Sequence, residues 1–376
     1  MKSPDVAIVG GGLIGGAIAW ELAGHNLDVL VLDRQHPGRE ASWAAAGILS
    51  ASPESPMSIP LVPFFKASLA MYPQFVEAVE QGTGRKVGFR KQGAIEVFLS
   101  GDVRRELSTF IALNHGLGLA AEPLPIENAR DLEPALTEEA QAAAFLPDDA
   151  AVDSRLLTEA VLAAAIKAGA VIRSAVEVKR LVSSGGRVTG VLAGGQQICA
   201  RHVVIAAGCH SAEIEGLARL APTRPVRGQM VSLRPNRVSI QRTLRTEHGY
   251  LVPRDDGRIV AGSTTEFVGY EKGVTAGGIE RILRSALELT PGLADAAIAD
   301  TWSGLRPDSP DHLPILGPTD LQGLLIATGH YRNGILLAPL TAKLVQEWIL
   351  EGRTSLETEA FSPMRFEPTP RASVAG

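Results

Sequence analysis

Short apolar runs separated by glycine-rich turns open the chain. Val6–Val9 is a continuous apolar run that predicts a buried strand, and Val29–Leu32 predicts a second one. Between these two runs, apolar residues recur at helical spacing over residues 13–23. A strand, a helix and a second strand of about this length form a βαβ unit. The pattern therefore predicts two parallel strands with a helix packed on one face of their sheet.

Helical and strand patterns are mixed along the rest of the chain. Helical spacing marks residues 66–81, 103–117 and 155–168, and Ser154 is predicted to cap the last of these helices. Strand-like runs occupy residues 94–99, 171–173, 176–182, 188–192, 203–206, 229–233, 250–253, 259–262 and 324–327. An apolar segment from about residue 334 to Trp348 predicts a closing helix. The mixture predicts an α/β fold with an α+β second domain.

The composition is that of a globular protein, since 45% of the 376 residues are hydrophobic and 20% are charged. A net charge of −5 and a pI near 6.0 give no basic surface for nucleic acid or an anionic membrane. No run reaches the roughly 18 apolar residues that a membrane span needs. The two cysteines, Cys199 and Cys209, suggest neither a disulfide framework nor a metal site, so a cytoplasmic location is expected.

A glycine motif follows the first predicted strand. Gly10-x-Gly12-x-x-Gly15 lies between that strand and the first predicted helix. In this context Gly10 permits a tight turn, Gly12 lets the backbone approach a pyrophosphate, and Gly15 lets the helix pack close to the strand. Asp33 ends the second strand, where an acid can bind ribose hydroxyls. The combination predicts a dinucleotide site rather than a structural turn.

Two later features favour FAD over NAD. The run H-V-V-I-A-A-G, which ends at Gly208, follows a predicted meander of strands instead of a crossover helix. The stretch G-H-Y-R-N-G, residues 329–334, precedes the closing helix and returns the chain to the nucleotide site. Reduced flavin carries negative charge near N1, and a helix N-terminus stabilises such charge. The loop before Gly334 is therefore predicted to face the flavin ring.

Several motifs together resemble the D-amino-acid oxidase superfamily, and within it the glycine-oxidising enzymes of the thiamine pathway. The motifs are V-G-G-G-L-I-G-G-A-I-A-W, A-S-W-A-A-A-G-I-L, H-G-Y-L-V-P-R, W-S-G-L-R-P-D, L-P-I-L-G-P and G-H-Y-R-N-G-I-L-L-A-P. The resemblance covers nearly the whole chain. It implies a discontinuous Rossmann-like FAD-binding domain (residues 1–85, 145–220 and 300–376). It also implies a substrate domain with an antiparallel sheet (residues 86–144 and 221–299).

The resemblance also implies the cofactor contacts. They are Leu13, Ile14, Asp33, Arg34, Ser42, Ala46, Gly47, Ile48, Val176 and the backbone of His330, Tyr331, Arg332, Asn333, Gly334, Ile335 and Leu336. Some relatives tether flavin through a cysteine in the last third of the chain, and none follows Cys209 here, so FAD is expected to be non-covalent. Relatives form homo-oligomers, which is the expectation for this chain as well.

Arginine and tyrosine side chains are the candidates for substrate binding. Arg306 in G-L-R-P is predicted to clamp a carboxylate, because a guanidinium offers a planar, two-pronged and permanently charged partner. Pro307 is predicted to stiffen a turn that presents it. Tyr250 can donate its hydroxyl to the same carboxylate, and Arg332 can reach substrate or flavin, although either could instead be structural. No acid–base catalyst and no metal-ligand spacing are assigned.

The resemblance implies an FAD-dependent oxidase that deaminates glycine and small amino acids or amines, such as sarcosine and small D-amino acids. Molecular oxygen would accept the electrons, yielding a 2-oxo acid, ammonia and hydrogen peroxide. Two alternatives stay open at this point. One is a flavin dehydrogenase that passes electrons to another acceptor, and the other is a non-catalytic dinucleotide-binding protein.

Overall fold

A computed structural model describes residues 3–366 of the chain. Its helices are α1 (Leu13–Gly24), α2 (Ala41–Ala44), α3 (Val62–Thr83), α4 (Val103–Gly116), α5 (Ile126–Leu132), α6 (Ser154–Lys167), α7 (Ala276–Leu289) and α8 (Gly334–Glu351). Its strands up to the middle of the chain are β1 (Val6–Val9), β2 (Val29–Leu32), β3 (Ile48–Leu49), β4 (Ala94–Phe98), β5 (Glu122–Leu124), β6 (Ala142–Leu146), β7 (Ala150–Ala151), β8 (Val171–Arg173), β9 (Val178–Ser184) and β10 (Arg187–Ala193). The later strands are β11 (Gln196–Cys199), β12 (His202–Ile205), β13 (Arg224–Arg234), β14 (Thr243–Thr246), β15 (Gly249–Pro253), β16 (Ile259–Gly262), β17 (Ala297–Asp308), β18 (Ile315–Pro318) and β19 (Leu324–Thr328).

The first half of the architecture is a six-stranded sheet in the order β18-β19-β12-β1-β2-β8. All neighbouring pairs in it are parallel except β18 with β19. β1 and β2 are buried at every position, as expected for parallel strands covered on both faces. The predicted βαβ unit is confirmed, because β1 pairs in parallel with β2 and α1 connects them.

Helices α1, α3, α6 and α8 pack together over this sheet and form the largest apolar core. Helix α8 contains Pro339, which has no N–H to give to the carbonyl of Ile335. The hydroxyl of Tyr72, on α3, donates to that carbonyl at 2.5 Å, and Ser68 donates to the next one, at Leu336, at 2.6 Å. Helix α3 therefore satisfies the backbone that proline frees in α8.

The second half is an eight-stranded, mostly antiparallel sheet in the order β17-β13-β16-β15-β14-β4-β6-β5. Its longest pairing joins β13 to β17, and β14 with β4 is its parallel pair. The amphipathic helix α7 covers this sheet, and Ile282, Ala286 and Leu289 face its core. A three-stranded sheet, β11-β10-β9, and a two-stranded one, β3-β7, complete the described architecture. The predicted α/β fold with a second antiparallel sheet is confirmed.

Two strands of the eight-stranded sheet cross domain boundaries that were predicted from the sequence. The limit at residue 300 falls inside β17, and the limit at residue 145 falls inside β6, yet both strands belong to the eight-stranded sheet. The part of the chain that builds this sheet therefore extends to Leu146 and to Asp308. The division into two domains stays a prediction.

The N-terminal cap predicted for α6 was wrong by one residue. Oδ1 of Asp153 accepts hydrogen bonds from the backbone N–H groups of Arg155 (3.0 Å) and Leu156 (3.2 Å). Asp153 is therefore the cap. Ser154 is the first helical residue, and its hydroxyl donates to the carbonyl of Ala45 at 2.7 Å, which ties α6 to the segment that follows α2.

Other sequence predictions differ from the structure in position or are missing. The strand predicted from residue 176 begins at Val178, because Ala175 has a φ of +56° and Val176 donates its N–H to the carbonyl of Asp33. Strands β11 and β14 and helix α7 were not predicted; α7 begins with Ala276 and two glycines, which hide its start.

Candidate active site

A large cavity lies between the two main sheets. Its volume is about 1080 Å³, near the upper end of the roughly 300–1000 Å³ typical of ligand pockets. Its wall takes in most of the residues predicted from sequence, namely Gly10, Gly12, Ile14, Asp33, Arg34, Ser42, Ala46, Gly47, Ile48, Val176, Gly208, Tyr250, Arg306 and residues 330–336. Leu13 and Gly15 lie behind this wall, so they support the cavity rather than line it.

The glycine motif packs the backbone tightly at one end of the cavity. Gly10 has a φ of +106°, and a Cβ there would lie 2.3 Å from the carbonyl oxygen of Ala206. A Cβ on Gly15 would lie 1.9 Å from the carbonyl oxygen of Gly10, so the start of α1 touches the end of β1. At Gly12 the nearest atom to such a Cβ is Oγ of Ser42 at 3.2 Å. The space that a side chain at Gly12 would occupy is therefore part of the cavity.

Asp33 and Ser42 hold this end in shape. Oδ2 of Asp33 accepts the N–H of Gly11 at 2.7 Å, and Oδ1 accepts the N–H of Gln35 at 2.8 Å. Oγ of Ser42 accepts the N–H of Leu13 at 2.9 Å. These bonds fix the glycine turn against the end of β2. The carboxylate of Asp33 also lines the cavity, where its remaining lone pairs can accept ribose hydroxyls.

Arg34 belongs to a polar group at the same end. Its Nη2 lies 2.7 Å from Nε2 of His210, and Nδ1 of His210 lies 2.7 Å from Oε2 of Glu213. Burial lowers the pKa of His210 from its ordinary value, and this effect exceeds the opposing one of Glu213. A neutral ring with its N–H toward Glu213 can then accept a hydrogen bond from Arg34. Gly208, two residues before His210, lies on the same part of the wall.

The segment after α2 forms one side of the cavity. Gly47 has a φ of +76°, and a Cβ there would lie 1.9 Å from the carbonyl oxygen of Val152. The guanidinium of Arg254 donates to the carbonyl of Ala46 at 2.6 Å. Strand β3, which begins at Ile48, pairs with β7 and anchors the same segment. The Ala46–Gly47–Ile48 backbone is therefore held rigidly against the cavity.

The N-terminus of α8 points into the middle of the cavity. Asn333 precedes the helix without capping it by its side chain, and residues 333–336 line the wall. The chain reaches this point through two residues of positive φ, Gly329 (+69°) and Tyr331 (+48°). The N–H of Tyr331 donates to the carbonyl of Pro307 at 2.9 Å, which fixes the loop to β17. The helix start thus offers its positive dipole end to a ligand.

His330 supports this loop from behind. Its side chain is 3% exposed, and Nε2 lies 3.1 Å from the hydroxyl of Thr341 on α8. Burial lowers the pKa of His330 to about 4, so the ring is neutral near pH 7. His330 therefore ties the loop to the helix that follows it.

Arg306 dominates the other end of the cavity. It lies inside β17, not in a turn, so the prediction that Pro307 stiffens a turn was wrong; Pro307 pairs with Pro225 of β13. Its Nη1 donates to the carbonyl of Thr264 at 3.0 Å, and Nη2 donates to Oγ of Ser263 at 2.6 Å. These bonds aim the guanidinium from a rigid strand.

Two glycines make room around Arg306. A Cβ on Gly228 would lie 2.3 Å from Nη1 of Arg306, so the guanidinium lies directly over the backbone of β13. A Cβ on Gly262 would lie 2.7 Å from the hydroxyl of Tyr250. That hydroxyl contacts Sδ of Met230 at 3.5 Å, a weak acceptor. Tyr250 and Arg306 consequently face the same end of the cavity.

Arg332 reaches the same end from the loop before α8. Its Nη1 lies 2.6 Å from Oε2 of Glu54, and Nη2 donates to the hydroxyl of Thr265 at 2.8 Å. All three side chains line the cavity. Arg332 is therefore a cavity residue that also pairs with an acid.

Several wall residues were not found by sequence reasoning. Glu54 lies in a Pro/Ser-rich loop with no periodic pattern, and Ser263 follows a strand without any motif. His248 is exposed at the cavity wall and makes no contact with Arg306 that would give it a role. Within residues 3–366, no cluster of His, Cys, Asp or Glu is placed to hold a metal ion, and no helix could span a membrane.

The fold and the cavity define a dinucleotide-dependent oxidoreductase. The family profile described as "DAO: FAD dependent oxidoreductase" matches residues 5–348, and the chain belongs to this family. It is 36% identical to the glycine oxidase of Geobacillus kaustophilus over 96% of this chain and 97% of that protein. The crystal structure of that enzyme superposes with a TM-score of 0.91, at 34% identity, covering 96% of this chain and 98% of that one.

A bifunctional relative is longer than this chain. The protein ThiO/ThiG of Synechocystis sp. is 38% identical over 97% of this chain, which spans only 54% of that protein. Together with the full-length match to a glycine oxidase, the family makes this chain an FAD-dependent enzyme of the amino-acid oxidase kind. FAD is its cofactor, and the site fits it: the glycine turn leaves room for a pyrophosphate, Asp33 ends β2, and the start of α8 faces the cavity.

Proposed function

We propose that this enzyme oxidatively deaminates glycine and other small amino acids or amines, including sarcosine and small D-amino acids. Molecular oxygen accepts the electrons, and the products are a 2-oxo acid, ammonia and hydrogen peroxide. The observation that carries the proposal is Arg306, a guanidinium held through both terminal nitrogens at the end of the FAD cavity. A fixed guanidinium matches the carboxylate that all these amino acids carry.

Arg306 and Tyr250 orient the substrate. Each terminal nitrogen of Arg306 uses one N–H to the protein, which leaves further N–H groups for a carboxylate. Within residues 3–366, the hydroxyl of Tyr250 donates to a thioether, a weak acceptor, so it can donate to the same carboxylate instead. Held in this way, the Cα hydrogen of the substrate points to one fixed place in the cavity. Arg332 lines the same end, with its charge paired to Glu54, and is a substrate-binding residue in this proposal.

The remaining chemistry is divided between cofactor and helix. When bound, FAD would supply the acceptor for the Cα hydride and the route by which the electrons reach oxygen. The N-terminus of α8 stabilises negative charge that develops beside it, since Asn333 leaves the first N–H groups uncapped by a side chain. An amine that binds neutral needs no protein base, so no acid–base residue is assigned. Water then hydrolyses the imine product to the 2-oxo acid and ammonia.

Glycine is the favoured substrate because several relatives matched over nearly their full length, among them those of Geobacillus kaustophilus and Pseudomonas putida, are named glycine oxidases. A role in thiamine biosynthesis is proposed on the similarity to ThiO/ThiG. A cytoplasmic location and a homo-oligomeric state are proposed as well. The free state of both cysteines is compatible with a reducing compartment.

The deciding experiment measures peroxide release from the purified yellow protein with glycine, sarcosine, D-alanine and L-alanine. The same enzyme, reduced by substrate, is then mixed with oxygenated buffer in a stopped-flow spectrometer. We expect peroxide with glycine and reoxidation at least as fast as turnover. Reoxidation far slower than turnover would mean that the acceptor is something other than oxygen, and no reduction by any of the four substrates would refute the proposal.

FAD is proposed to be bound without a covalent link. Acid or heat precipitation should release the flavin into the supernatant, because no cysteine follows Cys209 in the sequence. Flavin that stays with the protein pellet would contradict this.

A further inference from the structure

Two guanidinium groups are anchored to one short segment of the cavity wall. Arg306 donates to Ser263 and Thr264, and Arg332 donates to the next residue, Thr265. Both arginines therefore face the substrate end from adjacent anchor points. Each one alone could bind a carboxylate, and together they could bind two.

The carboxylate of Glu54 balances one of these two positive charges. Its Oε2 lies 2.6 Å from Nη1 of Arg332, and the ion pair joins residues 50–55 to the loop before α8. The side chain of Glu54 is 57% exposed and that of Arg332 is 33% exposed, so the pair lies at the rim of the cavity. Burial lowers the pKa of Arg332, but the attraction of Glu54 outweighs it and raises the pKa above the ordinary value. Arg332 is thus charged, and the carboxylate of Glu54 already balances that charge.

Arg306 has no such partner. Its contacts in the described chain are a carbonyl and a hydroxyl, both neutral. The substrate end consequently carries one unmatched positive charge from Arg306 and a neutral pair from Arg332 and Glu54. A ligand with one carboxylate completes this arrangement, whereas a second carboxylate would meet the negative side chain of Glu54.

We propose that Glu54 is a specificity-determining residue that restricts the site to substrates with a single carboxylate, by occupying the guanidinium of Arg332. The inference rests on the proposed function for the identity of the substrates. Removal of the negative charge frees Arg332 as a second carboxylate site. The enzyme should then accept a glycine that carries an additional acidic arm.

A purely structural latch is the alternative role of this ion pair. Loss of a latch would loosen residues 50–55 and weaken the binding of every ligand to a similar extent. A specificity role predicts opposite changes for ligands with one and two carboxylates. The two roles are separated by the ratio of affinities rather than by the affinity for any single ligand.

The first test is calorimetric titration of FAD-loaded enzyme with acetate and with two dicarboxylates, malonate and succinate. Glu54→Gln keeps the size of the side chain and one acceptor oxygen but removes its charge. We expect the Kd of at least one dicarboxylate to fall about tenfold or more, with that of acetate changing less than about threefold. Equal changes for all ligands, or none, would overturn the proposal.

Two further variants complete this test. The double variant Glu54→Gln with Arg332→Gln should lose the gain for dicarboxylates, because Arg332 is the site of the second carboxylate. The control is Glu247→Gln, an exposed acid that also lines the cavity and makes no ion pair with a guanidinium within residues 3–366. A similar dicarboxylate gain in the control would mean that general electrostatics, and not the Glu54–Arg332 pair, governs selectivity.

The second test uses turnover. The ratio of kcat/KM for iminodiacetate, which is glycine with a second carboxymethyl arm, to that for glycine should rise about tenfold or more in Glu54→Gln. An unchanged ratio would contradict the proposal. If neither compound reduces the wild-type enzyme, the proposed function fails, but the calorimetric ratios still decide the role of Glu54.

Discussion

The two ends of the cavity are built by different means. At the dinucleotide end, backbone atoms close to one another in sequence form the site. Gly10 and Gly12 line the cavity from one turn, Gly15 lets the start of α1 pack behind that turn, and Asp33 and Ser42 hold the turn in place. At the substrate end, side chains from distant segments converge and present the polar groups that face the cavity. The contributing residues are Glu54, Tyr250, Ser263, Thr265, Arg306 and Arg332.

The difference decides how each end tolerates change. A backbone surface is damaged by the addition of a carbon atom, because there is no room for one. A side-chain surface is damaged by the removal of a charge or a hydroxyl, while the fold beneath it survives. Substitutions at the first end should therefore affect cofactor content, and those at the second end should affect kinetics.

Gly12→Val should have the largest effect. A branched side chain at Gly12 would fill the space that a pyrophosphate needs, although its backbone conformation, with φ of −75°, suits any residue. We expect the flavin content of the purified protein to fall more than about tenfold while the far-UV circular dichroism stays normal. Gly24→Ala, at the other end of α1 with no atom within 4 Å of the added carbon, is the matched control. Normal flavin content in Gly12→Val would place the pyrophosphate elsewhere.

His330 lies where the two ends meet, and it should give stability a dependence on pH. Its pKa is lowered to about 4 in the folded protein, against 6.5 for an unperturbed ring. Between these two pH values the ring is protonated in the unfolded chain and neutral in the folded chain. The contribution of His330 to the free energy of unfolding is therefore complete above pH 6.5 and is lost as the pH falls toward 4. The loss should approach about 3 kcal/mol, at 1.36 kcal/mol per unit of pKa.

The measurement is urea unfolding at a series of pH values, for wild type and His330→Gln. The variant should have a flatter profile between pH 6.5 and 4. His25→Gln, a solvent-exposed position at the end of α1, serves as the control and should follow the wild type. Identical profiles for wild type and His330→Gln would show that burial of this ring does not control acid stability.

Arg306→Ala tests the substrate end. Loss of a charge-assisted pair in a confined site should cost roughly 1.5–3 kcal/mol, which lowers kcat/KM for glycine between about tenfold and one hundredfold. Arg306→Lys should recover only part of this, because an ammonium lacks the planar fork. Flavin content should be normal in both variants. An unchanged KM for glycine in Arg306→Ala would move the carboxylate site, most simply to Arg332.

Tyr72→Phe should have the smallest effect of the four. It removes the donor to the carbonyl of Ile335 that Pro339 leaves without a helical partner. A buried carbonyl without a donor should cost about 1–3 kcal/mol in the free energy of unfolding. Flavin affinity should weaken slightly, since α8 begins at the cavity. Tyr270→Phe, whose hydroxyl also donates to a carbonyl but from a partly exposed side chain, should cost less.

The same contrast explains what could be predicted from sequence. The glycine turn and the helix start at Gly334 were predictable, because each depends on residues within one short segment and on local backbone geometry. The pairing of Glu54 with Arg332 was not, because no spacing relates residues 278 positions apart. Arg306 was identified as a candidate, but its place in a strand was missed because Pro307 suggested a turn.

Errors in the fold have similar causes. Asp153 and Ser154 are both good helix caps, and only the hydrogen bond from Arg155 and Leu156 distinguishes them. Strand β14 reads Thr-Leu-Arg-Thr and contains no apolar run, although it is central to the eight-stranded sheet. Tertiary pairing, rather than local preference, determines such strands.

The order of strands in the six-stranded sheet has a consequence for synthesis on the ribosome. One edge of β12 pairs with β1. Its other edge is covered only by β19, which is translated more than a hundred residues later. Until then the nascent chain carries an open strand edge, which is a template for association with other chains. A chain truncated before Leu324 should therefore aggregate even though its glycine turn, β1 and β2 are complete. The cofactor site can therefore be completed only after residues 324–336 have been translated.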